Sequence, residues 1–385
     1  MKQLLCILFV CMLSLCVSAQ NILNSKVLDA ETREVLPNAT ISIGTDKSVI
    51  ANADGEFCVE ALPTAELTVS YVGYKTIHIK AENLGSTIEL PPYAIELSNV
   101  KVLPLKNILE RIVSAIKAEI GIYKRQESNF YYRQTSLNDG ECCEYIESFF
   151  NGYSALALRQ PSMITGRYGA LGNTAERQYS HPGNYYMLSC ISPYAKTVNK
   201  KSVMLPLTPH YESLYEVDYN ILRDEAEGSS IYKITFTPRP EIKRAIVKGS
   251  IYVDADSYQL LKYEGEILNE HIVYKDGRRY AADISFSVNY SHLRHFTEVQ
   301  SITVQGVYAD NGTSVTINST LLNVGRGYYR GKKKLGTFSN LKQSINAAGY
   351  DAKFWSDNTI IKRTPMEEQV VKMFEKDNVF SNITQ

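Results

Sequence analysis

Between residues 24 and 101 apolar and polar positions alternate in short runs. Ile41 and Ile43 flank Ser42, and Leu67, Val69 and Tyr71 alternate with Thr68 and Ser70. A period of two puts one set of side chains on a buried face, so this stretch predicts a small sandwich of short strands. Asp54-Gly55 supplies a turn, because glycine accepts the positive φ that such turns need, and Pro37 and Pro63 punctuate the loops. The period then changes. After Pro91-Pro92, Pro104 opens PLKNILERIVSAIKAEIG, in which Ile108, Ile112, Ile116 and Ile120 lie four apart beside Leu109 and Val113. That spacing predicts a helix with one apolar face, bounded by proline at its start and Gly121 at its end, and packed on a neighbouring domain. Its polar side is mixed in charge, which argues against a membrane-surface role.

Alternation returns from about residue 123 to 335 in longer runs. Tyr232, Ile234 and Phe236 alternate with Lys233 and Thr235, and Ile284, Phe286, Val288 and Tyr290 with Ser285, Ser287 and Asn289. Asp276-Gly277 and Asn311-Gly312 mark hairpins, and the whole reads as a large antiparallel sheet with one buried face. Gln160 to Pro209 interrupts it, rich in Gly, Pro, Ser, Asn and Tyr and without clean periodicity. Long irregular segments are often functional. Its tyrosines, Tyr168, Tyr179, Tyr185, Tyr186 and Tyr194, are the contact surface expected from the sequence. Near the C-terminus Thr364-Pro365-Met366-Glu367 has the form of a capping box, and Met366, Val370 and Phe374 fall four apart. A short terminal helix is expected to dock on the sheet, with Phe354 and Trp355 as anchors. The expected divisions are 1–19, a leader; 20–102, the sandwich; 103–122, a linker helix; 123–335, an antiparallel β domain open to a half-barrel reading; and 336–385, a helical tail.

The leader sets the compartment. Lys2 precedes an apolar run from Leu4 to Val17 and the small pair Ser18-Ala19, the pattern of a secretory signal cleaved after Ala19. At about 14 residues the run falls short of the roughly 20 that a membrane helix needs, and no later segment comes close. Leu13-Ser14-Leu15-Cys16 resembles a lipoprotein signal, but Leu15 stands where such processing prefers a small residue. Cleavage after Ala19 removes Cys6, Cys11 and Cys16, leaving Cys58, Cys142, Cys143 and Cys190, too sparse a set for a disulfide scaffold. Lys and Arg number 41, as do Asp and Glu, so no nucleic acid or other polyanion is implied as a partner. Tyrosine is abundant, 27 residues against one tryptophan, and suits half-buried strands or a tyrosine-lined binding face.

LDAETREVLPNATISIGTDKSVIANADGEFCVEALPTAELTVSYVGYKTIHI resembles the carboxypeptidase regulatory-like domain, in the version found at the N-termini of TonB-dependent outer-membrane receptors and of secreted envelope proteins. The matching positions are Asp29, Pro37, Ala39, Asp54, Gly55, Phe57, Leu62, Pro63, Leu67, Val69, Tyr71, Gly73 and Tyr74. Ser25 replaces a usual glycine, and Thr64-Ala65 a usual glycine turn, which bears on loop geometry. The resemblance implies a seven-stranded, transthyretin-like sandwich without catalytic residues. With the rest of the chain, the fold class expected is mainly β: that sandwich, a linker helix, and a larger antiparallel β domain with a short C-terminal helix. SIYVDADSYQLLKYEGEI, residues 250–267, resembles the strand-turn-strand repeat of the periplasmic lipoprotein-carrier half-barrel. YYRQ at 131–134 with FWSDNTIIKRTPMEEQVV near the end resembles secreted envelope proteins that carry the regulatory-like domain and lack the receptor barrel.

Motifs for chemistry are sparse. The chain has no Gly-x-Ser-x-Gly, no His-Glu-x-x-His, no phosphate-cradling Gly-x-x-x-x-Gly-Lys and no dinucleotide fingerprint. His292 and His295, followed by Glu298, have zinc-site residue types, but as the continuation of a strand residues three apart face opposite ways. Asp254-Ala255-Asp256-Ser257 lacks the glycine and distal glutamate of a calcium loop and reads as a polar turn. Cys142 and Cys143 lie between Glu141 and Glu144, which raise rather than lower a thiol pKa. Cys58 reads as a core filler. Acid pairs for glycoside chemistry converge only in space. The sequence therefore names no catalytic, metal or cofactor residue. Its leading reading is a non-enzymatic envelope binding protein, periplasmic or associated with the outer membrane and its transport components. That protein would take an envelope protein or a lipid or glycan ligand, with no transmembrane span in the mature chain. A lipid or lipoprotein carrier stands second and requires an open apolar concavity lined by Ile284, Phe286 and Val288. A hydrolase built from scattered acids stands third.

Overall fold

The computed structural model describes residues 21–44, 47–95, 103–120, 127–171, 191–196, 203–224, 228–273, 277–291, 297–325, 331, 333–335, 341–348, 352–357 and 362–380. The leader, Cys16, His292 and His295 lie outside them. Two compact units are present, Met1–Pro92 with Ile361–Thr364, and Tyr93–Ile360 with Pro365–Gln385.

The first unit contains β1 (Asn21–Asp29), β2 (Thr40–Ile43), β3 (Lys47–Ile50), β4 (Glu56–Ala61), β5 (Glu66–Ser70), β6 (Ile77–Lys80) and β7 (Thr87–Leu90). They form a three-stranded sheet, β4-β1-β7, and a four-stranded sheet, β3-β2-β5-β6, the seven strands expected. Val27, Ile41, Phe57, Val59, Leu67, Val69, Ile88 and Leu90 fill the space between. Cys58 corrects the sequence reading: it alternates with the buried Phe57 and Val59 and so points away from the core, half-exposed. Burial is the main cause that raises its thiol pKa, partly offset by Lys362.

The Tyr71-Val72-Gly73-Tyr74 signature is a turn tied to the end of β1. Gly73 sits at φ 89, a left-handed conformation that favours glycine. The turn lets the Tyr74 hydroxyl donate to Asp29 Oδ2 at 2.7 Å and sets the Tyr71 and Tyr74 rings edge to face at 5.3 Å. Asp29 Oδ1 accepts from the amides of Glu31 and Thr32. The Thr32 amide first and the Tyr74 hydroxyl next hold the Asp29 pKa below its ordinary value of 3.8.

The second unit is built on a 12-stranded sheet. Its strands are β8 (Ala94–Ile95), β9 (Glu127–Asn138), β10 (Glu141–Ser154), β11 (Leu158–Ala170), β12 (Tyr215–Arg223), β13 (Ser230–Pro238), β14 (Ile246–Asp254), β15 (Leu260–Val273), β16 (Arg279–Ser291), β17 (Glu298–Asp310), β18 (Thr313–Asn323) and β19 (Lys333–Lys334). The order is β19-β11-β10-β9-β18-β17-β16-β15-β14-β13-β12-β8, so two meanders are zipped together where β9 meets β18. Asn311 and Gly312, at φ 51 and 88, make the tight β17–β18 hairpin. Helices α1 (Leu105–Ile120), α2 (Leu341–Ala348), α3 (Ala352–Asp357) and α4 (Pro365–Lys376) complete the unit.

One face of the sheet, the inner face, is apolar. Helix α1 buries Ile108, Leu109, Ile112 and Ile116 in the same cluster as Phe130, Ile234, Phe236, Ile284, Phe286, Val288 and Ile317. Ile120, expected on that face, is instead 38 % exposed at the end of the helix. As expected, α1 packs on a neighbouring domain: it is part of the core of the second unit. On the outer face β16 exposes Asp283 and Ser285, whereas β9 and β10 are buried on both faces. There α3 and α4 lie on the sheet: Phe354 and Trp355 pack edge to face on Phe149 at 4.7 and 5.1 Å, and Val370, Val371 and Phe374 cluster with Tyr145 and Phe380. Met366 is exposed rather than docked. A Cβ on Gly169 would stand 2.2 Å from Phe374 Cδ2, so only glycine allows this close approach.

The segment expected to be irregular from Gln160 is ordered at its start. Residues 160–170 belong to β11, whose pairing with β10 overrides the disruptive Pro161. Proline is tolerated because β11 lies next to the sheet edge, with only the two-residue β19 beyond it.

Candidate functional site

The second unit carries two polar assemblies, one on each side of the sheet. On the outer face Glu147 is the centre. Its Oε1 accepts from the hydroxyls of Tyr131 and Tyr145, each at 2.7 Å, and its Oε2 from Arg167 Nε and Nη2 at 3.0 and 2.8 Å. Arg133 donates from Nε to the Tyr131 hydroxyl at 2.9 Å and from Nη1 to Glu367 Oε2 of α4 at 2.9 Å. Arg167 reaches Glu375 of α4 at 3.0 Å, and its guanidinium lies over the Phe380 ring at 4.5 Å. The YYRQ and PMEEQVV stretches therefore meet in space, through Arg133 and Glu367. Burial alone would lower the Arg133 pKa, but the Tyr131 and Tyr145 phenols with the Glu367 and Glu147 carboxylates outweigh it and raise it. Burial pushes the Tyr145 phenol far up. Strand alternation puts Glu144 on the opposite, inner face. There it accepts from Gln134 and Ser136 and pairs with Lys342 of α2. These buried acids do not converge, and each is engaged by the chain's own donors.

The second assembly lies along the solvent side of α1. Asn107, Glu110, Arg111 and Ser114, spaced so as to share one helix face, line an open depression of ≈ 480 Å³. The helix is held at both ends by side chains. The Tyr219 hydroxyl donates to the Leu103 carbonyl at 3.1 Å, and Glu119 accepts from Gln259 Nε2 at 2.7 Å and from the Thr297 amide at 3.3 Å. Beside it runs a row of tyrosines. Tyr219 and Tyr232 meet edge to face, and Tyr232 stacks on Tyr258, with ring centroids 6.3 Å apart in both pairs. Arg111 joins helix to row: Nη1 donates to the Tyr258 hydroxyl at 2.8 Å, and the guanidinium carbon lies 5.2 Å from the ring centroid.

Tyr258 occupies the turn between β14 and β15 at φ 59, a left-handed conformation rare for a bulky residue. The turn is the polar one expected at Asp254-Ala255-Asp256-Ser257: Asp254 Oδ1 accepts from the amides of Asp256 and Ser257 and from the Ser257 hydroxyl. Burial raises the pKa of Tyr211, Tyr219 and Tyr232. For Tyr211 neighbouring Glu212 and Glu110 add to it, and for Tyr232 the phenols of Tyr258 and Tyr219. Tyr219 and Tyr232 are therefore neutral and protonated.

The tyrosines singled out from the sequence are not this row. Tyr168 accepts from Asn346 at 3.4 Å beneath the Lys342 ammonium, Tyr194 packs against the inner core, and Tyr179, Tyr185 and Tyr186 lie outside the described residues. Cys142 and Cys143 are free thiols directed at the carbonyls of Glu144 and Ser136. Burial first, then the neighbouring Cys143, pushes Cys142 up to about 12. Among the described residues no group of His, Cys, Asp and Glu has the geometry of a metal site, and no helix is long and apolar enough to cross a membrane.

Residues 24–102 match the CarboxypepD_reg-like domain. No curated protein matches the chain. Among solved structures, a DUF1329 family protein from Desulfovibrio piger ATCC 29098 is similar at 11% identity over 63% of this chain and 100% of that one, with a TM-score of 0.22.

Proposed function

We propose that the chain is a non-enzymatic binding protein of the bacterial cell envelope, periplasmic or associated with the outer membrane, and that its binding face is the depression along α1. The observation that carries this is the tyrosine row joined through Arg111 to the exposed side of α1, where a bulky residue is held in an unfavourable backbone conformation. Strained residues of this kind concentrate at functional sites. The CarboxypepD_reg-like match of residues 24–102 supports the envelope setting. The engaged state of Glu144 and Glu147 favours binding over acid–base catalysis. A carrier with a preformed acyl-chain cavity is disfavoured, since Ile284, Phe286 and Val288 are buried in the same cluster as α1.

The test is site-specific photo-crosslinking in the native envelope, with the probe at Ser114 and, as control, at exposed Asp283 on the outer face. The expected result is a recurring adduct from Ser114 alone. Equal labelling from both positions, or none from Ser114, would overturn the binding face. Turnover of a captured molecule would overturn the non-enzymatic reading.

A further inference from the structure

We infer that the chain closes its own covalent cross-link, an amide between the side chains of Lys262 on β15 and Asn289 on β16. The two residues are direct partners in the antiparallel register. Directly opposed residues share a face with Cβ atoms about 4.5–5.5 Å apart, which a lysine stem can bridge. Both are withdrawn from water on the outer face, Lys262 at 4 % and Asn289 at 6 % exposure. Burial disfavours the charged form of lysine, and a buried ammonium is the one most easily converted to a nucleophilic amine.

The neighbours supply the rest of the chemistry. Glu264, two residues along β15, receives the ammonium on Oε2 at 2.6 Å and stands ready to take its proton. Tyr252, opposite Lys262 on β14, donates its hydroxyl to Glu264 Oε1 at 2.7 Å and so leaves Oε2 to the lysine. Asn289 donates from Nδ2 to Ser301 Oγ on β17 at 3.0 Å, which turns the departing nitrogen away from β15. The sheet holds its own contrast: Asn220 and Lys233 are the same pair in register between β12 and β13, beside the same Tyr252 ring. There Asn220 is exposed, and no carboxylate of the described residues pairs with Lys233. Only the buried pair therefore has a base and a dry setting.

The step balances without an oxidant. Glu264 takes one proton from the Lys262 ammonium, and the amine attacks Asn289 Cγ. The Cγ–Nδ2 bond breaks as a second proton passes from the attacking to the departing nitrogen. Ammonia leaves with the proton held on Glu264, as ammonium, and the carboxylate is restored. Burial alone would raise the Glu264 carboxyl, but Lys262, then Tyr252 and Lys233, hold it below its ordinary value. The resting pair is thus ionised, and the bond forms slowly, once per chain. Once formed, it ties the middle of the sheet and restrains the unfolded chain as a disulfide does.

The experiment is peptide mapping by mass spectrometry of the purified full chain, at once and after prolonged incubation at neutral pH. The expected result is a branched tryptic peptide joining the segment of Lys262 to that of Asn289, lighter than its two parts by one ammonia. The branch separates this bond from ring closure at another asparagine or glutamine, which loses the same mass. Lys262→Arg and Asn289→Ala should abolish it, Lys233→Arg should leave it, and Glu264→Gln should slow its formation about a hundredfold. The wild-type map decides, so the result does not hang on whether a variant folds. Two separate peptides after incubation would overturn the inference. So would a branch between Lys233 and Asn220 in equal yield, since burial would then select nothing. Formation at the wild-type rate in Glu264→Gln would overturn the role of Glu264 as base.

Discussion

The outer face of β9–β11 and the ledge along α1 use the same residue types to opposite ends. Around Glu147 two arginines, two tyrosines and two helix carboxylates are closed upon one another, with side chains of Arg133, Arg167 and Glu147 only 8, 5 and 1 % exposed. Along α1 the side chains of Asn107, Glu110 and Arg111 are exposed beside a half-buried row of tyrosines, and among the described residues those of Asn107 and Glu110 make no hydrogen bond. A charge withdrawn from water must be answered inside the fold or it destabilises it, so the buried set is committed to architecture. The exposed set has no such obligation, and its arrangement is free to serve a ligand.

Substitutions should separate the two regions by size of effect. Glu147→Ala leaves two buried guanidiniums without the carboxylate charge that both are paired with and should cost about 3–5 kcal/mol, read from the urea midpoint. Gly169→Ala drives a methyl into Phe374 and should cost about 1–3 kcal/mol, with loosening of α4 visible by hydrogen exchange. The Asp29–Tyr74 bond of the sandwich is an intermediate case: Tyr74→Phe should cost about 1 kcal/mol at neutral pH. Because the folded state depresses the Asp29 pKa below 3.8, its stabilisation is present above that pH and is lost as pH falls beneath it. The variant should accordingly show a flatter acid limb in a stability–pH profile. Smallest of all, Tyr258→Phe should leave unfolding within about 0.5 kcal/mol of wild type. A loss there as large as that of Glu147→Ala would erase the distinction between the regions.

How much of this was legible in the sequence follows from how local each signal is. The apolar face of α1, the alternation of Tyr232, Ile234 and Phe236, the hairpin at Asn311-Gly312 and the docking of Phe354 and Trp355 were readable from neighbours in the chain. Strands β9 and β10 were harder, because burial on both faces removes the alternation. Nothing local marks Arg133 and Glu147 as buried, because the helix that covers them, α4, is remote in the chain. β11 was obscured by Pro161 and its glycines, whose cost is met by pairing with β10. The ledge went unrecognised for another reason: Asn107, Glu110, Arg111 and Ser114 looked like an ordinary solvated helix face, and Tyr258 acquires meaning only beside Arg111. The clue available was a tyrosine closing a polar turn where glycine or asparagine is favoured.

The bond between Arg133 and Glu367 spans 234 positions of the chain. Synthesis runs from the N-terminus, so β9 and β10 emerge long before the helix that pairs with them. Until that last segment arrives, the outer face of β9 and β10 lacks its cover, and the nascent chain has reason to stay open. The C-terminal helix thus acts as a completion signal: a polypeptide cut before Pro365 should remain protease-sensitive, while a complete one locks in a single late step.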